Sequence, residues 1–142
     1  MNMSKIDIEK IKSKMEKLAL KYQLSLVLLF GSQVTGKTHT QSDVDIAYLS
    51  DKKMRPIEEA QMAFDFSQRL KIDNKKIDLV NLKEATPLLL KQIAEKSIPL
   101  YEKKVGSILA NFKIYALRSF MDAKKLFRLK EESLGKFLKQ KV

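Results

Sequence analysis

The 142-residue chain has no cysteine, a single histidine, four glycines and three prolines. Without cysteine there can be no disulfide scaffold, zinc ribbon or thiol nucleophile, and the composition suits a reducing cytosol, so a cytoplasmic location is expected. With His39 as the only histidine, a multi-histidine metal site is excluded and any metal must be held by oxygen ligands. Long apolar runs are missing too. Leu26 to Phe30 is about the longest, against the roughly 18 to 20 residues needed to cross a bilayer. Met1 to Lys10 lacks the apolar centre of a signal peptide. Neither a secreted nor a membrane-spanning protein is expected.

Positive charge, by contrast, is in excess. Lysine and arginine number 28 against 17 acids, a formal net charge of +11. The excess is uneven, because the residues from Lys103 onward hold +8 of it, with only Asp122, Glu131 and Glu132 in opposition. Such a field favours anionic partners: nucleic acid, nucleotides or an acidic protein face. A lysine-rich proteome explains it equally well. Direct nucleic-acid binding through the basic C-terminus is therefore open but not favoured, and no membrane partner is expected.

Periodicity predicts one α/β (α+β) domain over residues 1–142, with a small mixed β-sheet flanked by helices. Its core runs from about 5 to 102. Ile8, Ile11, Met15, Leu18, Ala19 and Tyr22 recur at helical spacing over 5–22, and Leu24 to Phe30 reads as a buried strand stopped by Gly31. A polar loop, 31–42, leads to a second strand, Asp43 to Leu49. Pro56 opens a helix to about Leu70, and Lys76 to Asn81 gives a third strand. Thr86 and Pro87 supply a cap and a first helical position for a helix to about Lys96. Pro99 suits an edge strand over Ile98 to Tyr101. A long amphipathic helix is expected over 106–129, with Phe112, Tyr115, Phe120 and Phe127 packed in the core, and a fraying basic tail over 130–142.

The chemistry lies in the strands. Asp43 and Asp45 occupy alternate positions of a predicted strand, so both carboxylates project on one face while Val44 and Ile46 point into the core. Carboxylates held that close repel, and one takes up a proton unless a cation sits between them. A hard divalent ion resolves the conflict, and magnesium is the default because it also accepts phosphate oxygens. Asp78, in the third strand, joins the pair if the two strands are neighbours. Three converging acids could hold two ions across an in-line phosphoryl displacement, or Asp78 could act as base on the attacking hydroxyl. Upstream, Gly31 lets the backbone approach a phosphate, and the Ser32 hydroxyl and nearby amides can donate to it. Ten residues separate this pair from Asp43. The combination predicts a nucleoside triphosphate site. Lys37 is a candidate triphosphate contact, and His39 reads as a solvent-exposed loop histidine.

The stretch LFGSQVTGKTHTQSDVDIAYL, with KKIDLVNL further on, resembles the GS-x10-DxD signature of the nucleotidyltransferase superfamily that includes DNA polymerase beta. With IDLVNLKEATPLLLKQIAEKSIPLYEKK and FKIYALRSFMDAKKLFR, the resemblance covers roughly residues 15 to 130. It is greatest to the minimal nucleotidyltransferases (MNT), and among them to the antitoxins of HEPN/MNT toxin–antitoxin pairs. The resemblance implies the polymerase beta-like fold, Mg2+ in one or two copies, and ATP as substrate. It implies transfer of AMP to a tyrosine of a HEPN ribonuclease toxin, which is thereby silenced, and so a hetero-oligomer with that toxin. It places phosphate binding on Gly31 and Ser32, and metal binding and catalysis on Asp43, Asp45 and Asp78. One position departs from the pattern. Thr35 stands where the family often carries an arginine, and Lys37 is a possible replacement for that charge. Two alternatives stay open: a small-molecule (aminoglycoside-like) or RNA-end acceptor, and a non-catalytic antitoxin that neutralises its partner by binding alone.

Overall fold

The computed structural model of the protein describes residues 5–31 and 43–140, with side chains from Lys10 onward. Helix α1 (Lys5–Tyr22) leads through Gln23, at φ 54, into strand β1 (Leu24–Phe30). Strand β2 (Val44–Ser50), helix α2 (Pro56–Leu70) and strand β3 (Ile77–Asn81) follow, with a short 3-10 turn at Asn74–Lys76. Helix α3 (Pro87–Glu95), strand β4 (Ser97–Glu102) and helix α4 (Ser107–Gln140) complete the chain.

The four strands form one sheet in the order β3-β2-β1-β4. β1 pairs antiparallel with β2 and β4, whereas β2 and β3 run parallel. Parallel neighbours need a crossover, and α2 provides it. The expected strands and helices form at nearly the expected bounds, including the edge position of β4 with its Pro99. Thr86 caps α3, its side chain accepting from the Leu89 amide at 3.3 Å.

Helices cover both faces of the sheet. On one, α1 and α2 bury Met15, Leu18, Val27, Ile46, Tyr48 and Phe66. On the other, α3 and the start of α4 bury Leu26, Leu28, Ala47, Ile93, Phe112 and Ala116. β1 is apolar apart from Ser25, whose hydroxyl donates to the Leu49 carbonyl, because it is central and covered twice. A register shift between Leu24 and Leu26 lets these two leucines, two apart in sequence, face opposite layers. Each of the larger aliphatic and phenylalanine side chains buried here stabilises the fold by roughly 1.5–3 kcal/mol.

Two expectations fail at the C-terminus. The helix does not end near 129 but continues to Gln140, so the segment expected to fray is helical. The aromatic residues expected in the core are mostly outside it. Phe112 is buried and Phe120 half-buried, with the Lys91 ammonium 4.9 Å from its ring, but Tyr115 and Phe127 are exposed. Tyr115 lies within the covered stretch but off the face that Phe112 and Ala116 bury. For Phe127 the reason is length, since no residue of α4 beyond Ala116 is buried and every side chain from Lys124 to Gln140 is exposed. The apolar spacing continues after the body it would pack against has ended.

Candidate active site

The parallel register of β2 and β3 places Asp45 directly beside Asp78, and the antiparallel register of β1 places Phe30 on the other side of Asp45. Register partners share a face. Here it is the α3/α4 face, because Ala47 and Val80, two residues further along each strand, join that layer. The row Phe30–Asp45–Asp78 therefore crosses three strands at one end of the sheet. Asp43 lies one residue before β2, outside the strand in which it was expected, and is exposed. Asp78 is exposed and Asp45 half-buried.

Gly31 closes this row. Its φ is +80, and a Cβ placed there would lie 2.1 Å from Asp45 Oδ2 and 3.0 Å from its Cγ. Only glycine lets the chain turn here in a left-handed conformation with a carboxylate pressed against its backbone. Ser32, Lys37, His39 and Thr35 lie outside the described residues.

Asp45 is electrostatically loaded. Its pKa is raised from 3.8 to about 6, first by burial and then by the charges of Asp78 and Asp43. All three predicted acids thus act on one point. Among the described residues, however, no group of three histidine, cysteine or acidic side chains is arranged to hold a metal ion by itself. Magnesium does not require such a cage, since it commonly takes one or two carboxylates and completes its octahedron with water and substrate phosphates. The all-oxygen donor set and the crowded Asp45 fit that mode.

The raised pKa carries a pH dependence. Between pH 3.8 and about 6 the folded chain holds a proton on Asp45 that the unfolded chain has released. The contribution of this group to stability therefore falls as pH rises through that window and is flat above it. Glu58, held low at about 2 by Lys52 and Arg55, slopes the opposite way, its stabilisation being lost in acid. The melting-temperature difference between Asp45→Asn and the parent, without ligand, is therefore expected to increase from pH 4 to 6.5 and then level off.

One polar tie was not singled out from the sequence. Tyr48, fully buried in β2, donates its hydroxyl to Glu59 Oε2 at 2.5 Å, clamping α2 to the sheet behind the acids. Burial and the Glu59 carboxylate push the Tyr48 phenol far above its ordinary pKa. A tyrosine inside an apolar strand implies a polar partner, but which acid it meets depends on the packing of α2.

The sequence matches the family model described as polymerase beta, nucleotidyltransferase, over residues 9–105. The chain belongs to this nucleotidyltransferase family. Its matched span contains Gly31, Asp43, Asp45 and Asp78. A relative from Aphanizomenon flos-aquae, the protein adenylyltransferase MntA, is 29% identical over 124 residues, 82% of each chain. The fold is similar to that of a toxin–antitoxin crystal structure with AMP-PNP (TM-score 0.71, 23% identity, 87% of this chain and 97% of that one). It is also similar to that of a structure of a tri-AMPylated Shewanella oneidensis HEPN toxin in complex with an MNT antitoxin (TM-score 0.61, 20% identity, 92% and 98%). The polymerase beta-like architecture that the family resemblance implies is thus the observed one. Among the described residues no helix is long and apolar enough to cross a membrane.

Proposed function

We propose that this nucleotidyltransferase is a magnesium-dependent antitoxin that moves AMP from ATP to a tyrosine hydroxyl of a HEPN-type toxin and so inactivates it. The observation that carries the reading is Asp45, pressed against Gly31 on one side, registered with Asp78 on the other, and raised in pKa to about 6 by burial and by the charges of Asp78 and Asp43. A site meant only for docking has no use for carboxylates held in mutual repulsion. The adenylyltransferase relative and the AMP-PNP-bound neighbour support ATP, and the HEPN complex supports the partner.

In this reading Gly31 brings its backbone against the triphosphate, and Ser32, next in the chain, donates its hydroxyl to a phosphate oxygen. Asp43 and Asp45 supply metal-binding oxygens with Asp78, and bound magnesium would offset charge on the triphosphate and the departing pyrophosphate. Asp78, on the far side of Asp45 from Gly31, accepts the acceptor's proton. The acceptor oxygen bonds to the α-phosphorus as the bond from that phosphorus to pyrophosphate breaks. With Gly31 after β1 and Asp78 on β3, an in-line step would send the leaving group toward β1 and take the nucleophile from the β3 side.

The test is to purify the chain with its HEPN partner, add ATP with magnesium, and weigh both proteins by intact-mass spectrometry. A partner heavier by one or more AMP units, unchanged when magnesium is withheld, is the expected result. An unmodified partner that is nevertheless inhibited would favour neutralisation by binding alone.

A further inference from the structure

The acceptor side of the site ends at a free sheet edge. β3 is the outermost strand on the acidic side, and among the described residues no strand pairs with its outer edge. Unlike β1, it buries none of its five residues. Between this edge and the first half of α2 lies a groove of about 330 Å³, lined by Pro56, Ala60, Ala63, Ile77 and Leu79, with Glu59 and Asp78 also on its wall. The two alanines keep it open where any longer side chain would fill it.

The alternation of a strand connects groove and carboxylates. Asp78 shares the face of Asp45, whereas its neighbours Ile77 and Leu79 point to the other face and pack toward the α1/α2 layer. A strand added beside β3 would obey the same alternation. A residue opposite Asp78 would point toward the carboxylates, and the residues before and after it would point into the groove.

Resting on the reading above, we propose that the acceptor enters as an extended polypeptide segment that adds to the open edge of β3, setting its hydroxyl-bearing side chain at Asp78 and its two flanking side chains in the α2/β3 groove. Main-chain hydrogen bonds would supply affinity and the groove would supply sequence preference, as in other cases of strand addition. The groove's apolar lining selects uncharged aliphatic flanks of Val, Ile or Leu size. Glu59 on the groove wall, together with Asp78 where the central residue arrives, disfavours acidic flanks and the phosphates of a nucleic-acid acceptor. This gives the catalytic core a way to choose one hydroxyl among many.

The experiment fills the groove. Ala60 is exposed and Ala63 half-buried on α2, so leucine at either position keeps helix propensity and the fold. In Ala60→Leu and Ala63→Leu, stabilisation by ATP with magnesium should equal that of the parent chain. The apparent KM for the partner in the adenylylation assay should rise about tenfold, with kcat nearly unchanged. Hydrogen exchange at the amides of 77–80 should slow when the partner is added to the parent chain, and less so in the variants. Partner modification at the parent's kcat/KM in both variants, or no added protection of β3, would overturn strand addition while leaving the adenylyltransferase reading intact. A parent chain stabilised by ATP with magnesium that modifies no protein would overturn that reading and this one with it.

Discussion

Asp45→Asn is expected to lose roughly 10²–10³-fold in the rate of AMP transfer while melting above the parent chain at pH 7. The two effects have one cause. Asp45 is half-buried and shares its surroundings with Asp78 and Asp43, and burial and the two charges together raise its pKa to about 6. At neutral pH the ligand-free fold therefore carries a carboxylate it would rather protonate, and the amide removes that burden. The same crowding is what a magnesium–triphosphate complex relieves, so the variant loses the attraction that positions the substrate. Turnover of the partner measured by intact mass, with melting curves at pH 7, checks both parts. Parent-level transfer by the variant would remove Asp45 from the reaction, and a lower melting temperature would show that its charge is not a burden.

Gly31→Ala should fail for the opposite reason, by adding an atom. A Cβ there meets Asp45 Oδ2 at 2.1 Å, a separation no real contact tolerates, and the backbone is at φ +80. An alanine in that conformation costs about 1–2 kcal/mol before any clash, so the melting temperature should fall by several degrees. Relief requires the Asp45 side chain to rotate away from its place beside Asp78, and a displacement of that order costs roughly 10²-fold in rate. Opposite shifts of melting temperature in the two variants, with similar losses of activity, would separate the charge of the site from its shape.

Much of the site was legible from sequence because strand periodicity is local. Alternation alone put Asp45 on the face opposite Val44 and Ile46, though it also drew Asp43 into a strand that begins one residue later, and Gly31 announced itself as the end of an apolar run. The pairing of Asp45 with Asp78 was a conditional statement, since register depends on the length and path of α2 between β2 and β3, and those are properties of packing. The Tyr48–Glu59 tie was invisible for the same reason. At the C-terminus the failure ran the other way. The apolar spacing of α4 was read correctly as helical, but periodicity records which face is apolar and not whether anything covers it. Phe112 and Phe127 look alike in the sequence, and only the first has a body beneath it.

That uncovered length has a consequence for how the molecule comes apart. From Lys124 to Gln140 the helix buries no side chain. A helical stretch that buries so little side chain draws its stability mainly from its own backbone hydrogen bonds and propensity. Cooperative unfolding therefore has a boundary inside α4. The turns around Phe112 and Ala116 open only with the sheet, whereas opening the exposed distal turns forfeits little buried surface and costs less than global unfolding. One continuous rod by shape, α4 is two segments by energy, the first tied to the sheet and the second held mainly by its own backbone.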